Sequence, residues 1–139
     1  MQTFLPEIAT LLAGATTLPI RIGRPDGKLK GVFIWPWRTS LDQVTFRSGG
    51  EPTTVRHTQP SAKIELAILV RKADVAGSLS DLFACGLVLN NTPVLQSGNA
   101  EGRIMATTLS HEDLCHLFEA SGLRLTPCLT FTLLVPPEA

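Results

Sequence analysis

The segment from residue 64 to residue 71 alternates large aliphatic side chains with other residues, and this pattern constrains the fold more than any other feature. Its large aliphatic residues on one side are Ile64, Leu66, Ile68 and Val70. A period of two residues is that of a β-strand with one face on a hydrophobic core, whereas a helix requires a period of 3.6 residues. The chain therefore has to build a sheet and cover at least one of its faces with other apolar elements.

Two amphipathic helices are predicted on either side of this strand. The N-terminal helix accepts Pro6 in its first turn and ends at Gly14, and its apolar residues repeat at helical spacing as Phe4, Ile8, Leu11 and Leu12. The central helix has capping candidates at Asp74 and Ser78 and stops before Pro93. We predict that its buried face consists of Leu79, Leu82, Phe83, Gly86 and Leu87.

A third helix is predicted from a capping motif. Ser110 and Asp113 resemble a capping box, in which the serine oxygen accepts a backbone amide and the acidic side chain favours the helix N-terminus. Its apolar face is formed by Leu114, Leu117 and Phe118, and Gly122 can adopt the left-handed conformation that ends such a helix.

The other apolar segments predict further strands at residues 18–22, 32–37, 41–47, 103–109 and 129–135. Pro36 lacks a backbone donor, which suits a sheet edge or the end of strand pairing. Residues 48–60 contain glycines and prolines and few large apolar side chains, so they predict a loop or mobile arm. The whole order predicts one α+β domain over residues 1–139, with a mixed, mostly antiparallel sheet covered by about three helices.

Composition excludes several classes of protein. Of the 139 residues, 44% are hydrophobic and 17% charged, which is typical of a folded domain, and the formal net charge is zero. No overall field therefore attracts nucleic acid or anionic lipid. The three cysteines form no CxxC pair, so we expect buried thiols and no disulfide framework or zinc site. No signal sequence or membrane span is apparent, and we expect a cytoplasmic place of synthesis.

Motifs for catalysis fail on spacing. His111 and His116 are five residues apart, which places them about 140° apart on a helix, so they cannot share a metal as HExxH histidines do. Cys115 and His116 are consecutive and point about 100° apart, so we expect Cys115 in the core. The 23–29 segment has one residue too few before its Gly-Lys pair to form a phosphate-binding loop. Its Pro-Asp-Gly sequence instead predicts a tight turn. We therefore predict no enzyme activity, metal or cofactor.

An aromatic segment near Pro36 is the candidate for a partner interface. Trp35 and Trp37 lie on the same side of a predicted strand and close to Phe33, so they can form an exposed anchor. The alternative is a stripe of core residues. We predict that the region from residue 32 to residue 60 contacts neighbouring subunits or other proteins of an assembly, sheath among them, through Phe33, Trp35, Trp37, Arg38 and Phe46.

Three segments share their order and spacing with one protein family. Pro60–Val70 begins with proline and has a hydrophobic-acidic-Leu pattern, and Leu82–Leu95 is a helix that ends in a Pro-Val-Leu exit. Leu109–Phe118 contains Leu-Ser-His-Glu-Asp-Leu, and Gly122 and the Pro-x-Leu-x-Phe strand of Pro127–Phe131 follow. Together they resemble the tail-terminator, or cap, proteins of extracellular contractile injection systems, the antifeeding-prophage and virulence-cassette type of particle.

The resemblance implies a structural protein that forms a homo-hexameric ring on the end of an inner tube and sheath and stops their polymerisation. Its implied partners are copies of itself and the sheath and inner-tube proteins, with no nucleic acid or membrane. The implied location is the cytoplasm during assembly, and then a phage-tail-like particle that can leave the cell. Residues 34–38 and the 48–60 segment depart from the family pattern, so the resemblance does not identify the surface that contacts these partners.

Two alternatives follow from the same sequence. The small α+β module is also suited to a connector or baseplate adaptor of a phage-tail-like machine. A small-ligand-binding or hydrolytic domain is the second alternative, and it requires a deep polar pocket with converging titratable groups.

Overall fold

The computed structural model describes residues 3–42, 61–123 and 126–136. The helices in these ranges are α1 (Leu5–Ala13), α2 (Val75–Asn90) and α3 (His111–Ser121). The strands are β1 (Ile20–Ile22), β2 (Gly31–Asp42), β3 (Ser61–Arg71), β4 (Val94–Ser97), β5 (Ala100–Thr107) and β6 (Cys128–Val135).

The described strands form one mixed sheet in the order β1-β2-β3-β6-β5-β4. Strands β1 and β2 run parallel, and every other neighbouring pair is antiparallel. β3 lies inside the sheet, where Ile64 is paired with Thr39 of β2 and with Leu133 of β6. The predicted α+β class with a mixed, mostly antiparallel sheet and three helices is confirmed.

Helices cover both faces of the sheet, and β3 contributes side chains to each. Leu66 and Ile68 are fully buried in a large apolar cluster with α1 and α2. Ala67 and Leu69 point the other way, into a smaller cluster with Leu117 of α3. A strand that is buried on both faces reads as a nearly continuous apolar run. The sequence of β3 therefore reflects a position between two helical layers.

β2 is longer than predicted. It pairs with β3 from Gly31 to Asp42, with a β-bulge between Pro36 and Arg38. Residues 41 and 42 therefore continue β2, and the prediction of a separate strand at 41–47 is wrong at its start because a bulge carries pairing past the proline. Pro36 has no backbone N–H to donate to a strand on the β1 side of β2. β1 ends opposite Ile34, so no described strand lies there to need that hydrogen bond. Residues 43–47 and the predicted loop at 48–60 lie outside the described residues.

β4 was missed in the prediction. Residues 94–97 pair with residues 100–103 as a hairpin, although the sequence predicts only a helix exit and a turn there. The strand has four residues and buries one of them, Leu95. Such a short segment carries too little periodicity to be recognised from its pattern alone.

The predicted helix boundaries follow their local signals. The Ser110 hydroxyl accepts a hydrogen bond from the Asp113 amide at 3.1 Å, and Asp74 caps α2 by accepting from the amides of Ala76 and Gly77. Gly122 has φ of 69°, the left-handed conformation predicted for the end of α3. The third and central helices therefore begin and end where capping chemistry predicts.

Candidate docking surfaces

The predicted aromatic interface has a buried part and a more exposed part. Phe33 is 2% exposed and Trp35 is 9% exposed, and both pack with Leu117 of α3. Trp35 is therefore a core residue, and its predicted exposure is wrong because α3 covers that face of β2. Trp37 lies at the border of the same cluster and is half-buried.

A role of this region in contact with a partner stays a prediction, and Trp37 and Arg38 are its more accessible members. Phe46 lies outside the described residues. The Arg38 guanidinium lies 4.6 Å from the centroid of the Trp37 ring, a cation–π contact. The Trp37 Nε1 atom is buried and has no hydrogen-bond partner in the described part of the chain. The pair thus places a guanidinium group against an aromatic ring on the α3 face of the sheet.

Arg38 also joins three elements through ion pairs. Its guanidinium donates to both carboxylate oxygens of Glu65 on β3, and its Nη1 lies 3.1 Å from Oδ1 of Asp113 in the first turn of α3. The hydrogen bond from Arg38 lowers the pKa of Asp113, and the two carboxylates raise the pKa of the guanidinium. We call this group the Arg38 clamp, because it fastens the N-terminus of α3 to the sheet.

A second exposed surface lies on α2. Phe83 is 65% exposed and Leu87 is 62% exposed, although both were predicted on the buried face of the helix. The buried side is instead formed by Ser78, Leu82, Cys85 and Leu89. The prediction is wrong here because α2 carries apolar residues on two sides, and periodicity alone does not decide which side meets the sheet.

Phe83 and Leu87 border a groove of about 460 Å³ between α2 and the β5–β6 part of the sheet, which we call the α2 groove. Ala106, Leu129 and Phe131 complete its apolar lining. A Cβ atom at Gly86 would lie 2.4 Å from Cδ1 of Leu129, so glycine permits the close approach of α2 to β6 here. An exposed apolar groove with an aromatic border is typical of a surface that binds another protein.

Reactive side chains meet at one place on α3. His111 and Cys115 lie one helical turn apart, with Nε2 and Sγ at 3.7 Å, whereas the sequence drew attention to His116. The spacing of four residues was the available signal. Among the described residues, no group of three or more His, Cys, Asp or Glu side chains is placed to hold a metal ion.

The three cysteines differ in burial. Cys115 is exposed, so its predicted place in the core is wrong, whereas Cys85 is buried and Cys128 partly buried. Burial raises the pKa of Cys85 to about 11 and also raises that of Cys128. These two side chains are therefore protonated thiols at neutral pH. No helix in the described part of the chain is long and apolar enough to cross a membrane.

Comparison with solved structures relates the fold to one known assembly. The chain is similar to a sheath/tube terminator of an extracellular contractile injection system, PVC, whose structure was determined by cryo-EM in the extended state. The TM-score is 0.68 at 16% sequence identity, with 98% of this chain and 56% of that chain covered. This chain thus spans little more than half the length of that terminator.

The sequence matches no protein-family model and no curated protein. The structural similarity nevertheless extends over nearly the whole chain. The predicted resemblance to tail terminators is thereby confirmed as a likeness of fold.

Proposed function

We propose that this chain is a tail terminator, a structural subunit that caps the tube and sheath of a contractile particle and stops their polymerisation. The observation that carries the proposal is the fold similarity to a sheath/tube terminator over 98% of the chain. Because a fold by itself does not fix a function, the surfaces of this chain have to suit the role as well.

The described surfaces suit a ring of identical subunits. A cyclic ring requires two different complementary surfaces on each subunit, because every contact is heterologous. The α2 groove lies on one face of the sheet, and Trp37 and the Arg38 clamp lie on the other. We propose that such surfaces join neighbouring copies in a homo-hexameric ring and seat the ring on sheath and inner-tube subunits.

Strand pairing offers a further mode of contact. From Trp35 onward, β2 is paired with β3 and has no described strand on its other side, because β1 ends opposite Ile34. A segment of a neighbouring chain can add to such an edge through main-chain hydrogen bonds. The alternative of a hydrolytic domain requires a deep polar pocket, whereas the lining of the α2 groove is mainly apolar.

The test is deletion of the gene in its native host, with tail lengths measured by electron microscopy and complementation by the wild-type chain. We expect overlong, uncapped tubes or sheaths in the deletion strain and normal lengths after complementation. Tails of normal length with an intact end in the deletion strain would contradict the terminator function and favour an adaptor.

Complementation with a Phe83→Ser, Leu87→Ser variant tests the α2 groove separately. The matched control is Ile22→Ser with Met105→Ser, which removes two side chains that are 49% and 48% exposed outside the groove. We expect the groove variant to leave tails overlong and the control to restore their length. Equal restoration by both variants would remove the groove from the proposal.

A further inference from the structure

A basic surface lies at the end of the sheet where β2 begins, apart from the α2 groove and the Arg38 clamp. It is formed by β1, the turn that leads into β2, the end of β3 and the segment that joins β3 to α2. We call it the basic rim and define it by Arg21, Lys28, Lys30, Arg71 and Lys72. Since the net charge of the whole chain is zero, this concentration of cations is a local feature.

The arginines of the rim are held in place by neutral groups. Nε of Arg21 donates to the Lys30 carbonyl at 3.1 Å, and Nη2 of Arg71 donates to the Gly27 carbonyl at 3.0 Å. Neither arginine forms an ion pair within the described residues, whereas Lys72 is paired with Asp81 at 3.2 Å. Both guanidinium groups are therefore oriented by hydrogen bonds to carbonyls, and no described carboxylate forms an ion pair with either of them.

The carboxylates near the rim already accept hydrogen bonds from other groups of the chain. Oδ1 of Asp26 accepts a hydrogen bond from the Lys28 amide at 2.8 Å. Asp74 accepts from two amides as the cap of α2, and Asp81 is bound by Lys72 and Thr16. Within the described residues, five cationic side chains of the rim are thus accompanied by three carboxylates, each of which accepts a hydrogen bond from within the chain. The described rim therefore has more cations than carboxylates, and the side chains of Lys28 and Lys30 are exposed.

A recess of about 180 Å³ lies between the 27–30 turn and residues 71–73. Arg71 lines this recess, and its Nε atom is buried with no hydrogen-bond partner in the described part of the chain. The Arg71 guanidinium is held beside the recess by its hydrogen bond to the Gly27 carbonyl, so an anionic oxygen bound in the recess would lie close to a cation. Since a water molecule occupies about 30 Å³, the recess has room for a carboxylate group.

Aliphatic side chains beside the cations indicate the kind of partner. Leu29 is 41% exposed and lies between Lys28 and Lys30 in the sequence. Val75 is 69% exposed and directly follows Asp74, the cap of α2. Surfaces that bind single-stranded nucleic acid combine cations with aromatic side chains on which bases stack, and the rim contains no aromatic residue. Cations around aliphatic side chains instead complement a polypeptide that carries both carboxylates and apolar residues.

We propose that the basic rim binds an acidic segment of another protein, whose carboxylates contact Arg71, Lys28 and Lys30 and whose apolar side chains cover Leu29 and Val75. Guanidinium groups that are already oriented can bind carboxylates through bidentate hydrogen bonds with little further loss of side-chain conformational entropy. This surface function goes beyond tail termination and does not depend on it, because it can be measured on the purified chain.

The test uses fluorescence anisotropy with the full chain and three labelled probes of equal charge. They are a peptide of about twelve residues that alternates glutamate with leucine, an oligothymidylate and a polyglutamate peptide. The test variant is Lys28→Glu with Lys30→Glu. The matched control is Lys63→Glu with Arg103→Glu, which makes the same change in net charge on β3 and β5. Circular dichroism establishes that both variants are folded.

We expect the wild-type chain to bind the peptide more tightly than the oligothymidylate. The rim variant should weaken peptide binding by about tenfold or more at low salt, and the control by less than about twofold. Leu29→Ser should weaken binding of the glutamate-leucine peptide and leave binding of polyglutamate unchanged. Equal weakening by the rim variant and the control, equal binding of the glutamate-leucine peptide and the oligothymidylate, or no binding of that peptide would each overturn the proposal.

Discussion

The two faces of the sheet are closed in different ways. The face under α1 and α2 holds a large apolar cluster in which Ile8, Leu66 and Leu89 are almost completely buried. The face under α3 is covered by one helix, whose buried residues are Leu117 and Ser121 and whose N-terminus is fastened by Arg38. The first face depends on area removed from water, and the second adds ion pairs that respond to pH and salt.

This difference predicts unequal contributions of the two faces to stability. Among the described residues, more apolar side chains are buried under α1 and α2 than under α3, so we expect burial on the first face to contribute more to the free energy of folding. The α3 face has a smaller core, and the proposed contacts with partners lie on both faces, at the α2 groove on one and at Trp37 and the Arg38 clamp on the other. Substitutions on β3 can test the division directly, since neighbouring residues of this strand point to opposite faces.

The largest effect is expected for Leu66→Ala, on the face under α1 and α2. Leu66 is completely buried, and truncation leaves a cavity between the strand and two helices that cannot easily collapse. We expect the free energy of unfolding to fall by about 3–5 kcal/mol. Urea unfolding of the purified chain measures this value, and a loss below about 2 kcal/mol would contradict the importance of this face.

Leu69→Ala is the matched substitution on the α3 face. Leu69 is also completely buried, but its cluster is smaller and its cover is a single short helix that can adjust. We expect a loss of about 2–3 kcal/mol in the same experiment. A loss equal to or greater than that of Leu66→Ala would show that the two faces contribute alike.

Asp113→Asn should have a smaller effect that depends on pH. The pKa of Asp113 is lowered in the folded chain, chiefly by the hydrogen bond from Arg38, so the carboxylate stabilises the fold above its ordinary pKa of about 3.9. This stabilisation is lost as the pH falls through the lowered pKa. The stability difference between wild type and Asp113→Asn should therefore be constant near neutral pH and disappear in strong acid.

Glu112→Gln is the control for this titration, because Glu112 is exposed in the same helical turn and has no part in the Arg38 clamp. Chemical unfolding at a series of pH values compares the three chains. A pH-independent difference for Asp113→Asn, or the same pH dependence for Glu112→Gln, would contradict the role of the clamp.

The smallest effect on stability is expected for Phe83→Ser with Leu87→Ser. Both side chains are mostly exposed, so their loss removes little buried area, and the free energy of unfolding should change by about 0.5 kcal/mol or less. The control Leu82→Ser, on the buried side of the same helix, should be strongly destabilising. A large loss for the groove variant would mean that the groove belongs to the core.

Local chemistry made several elements predictable from the sequence. The alternation in β3, the Ser110 cap and the left-handed Gly122 are each determined by residues within a few positions of one another. Such signals hold regardless of the rest of the fold. They predicted the fold class, the cover of three helices and the boundaries of α3.

Tertiary contacts decided what the sequence could not predict. Continuation of β2 past Pro36 depends on the bulge and on the pairing of Arg38 with Glu65. The burial of Trp35 depends on the placement of α3, and the exposure of Phe83 depends on the side of α2 that meets the sheet. Both candidate docking surfaces were therefore only partly predictable. Each depends on which apolar side of β2 or of α2 is covered by another element and which side stays exposed.

The most direct test of the terminator function is the position of this chain in isolated particles, determined by immunogold labelling and cryo-EM. We predict a label at one end of each particle, opposite the baseplate and at the last layer of tube and sheath. Label along the whole length or at the baseplate would contradict the function as a terminator and identify the chain as another component of the tail.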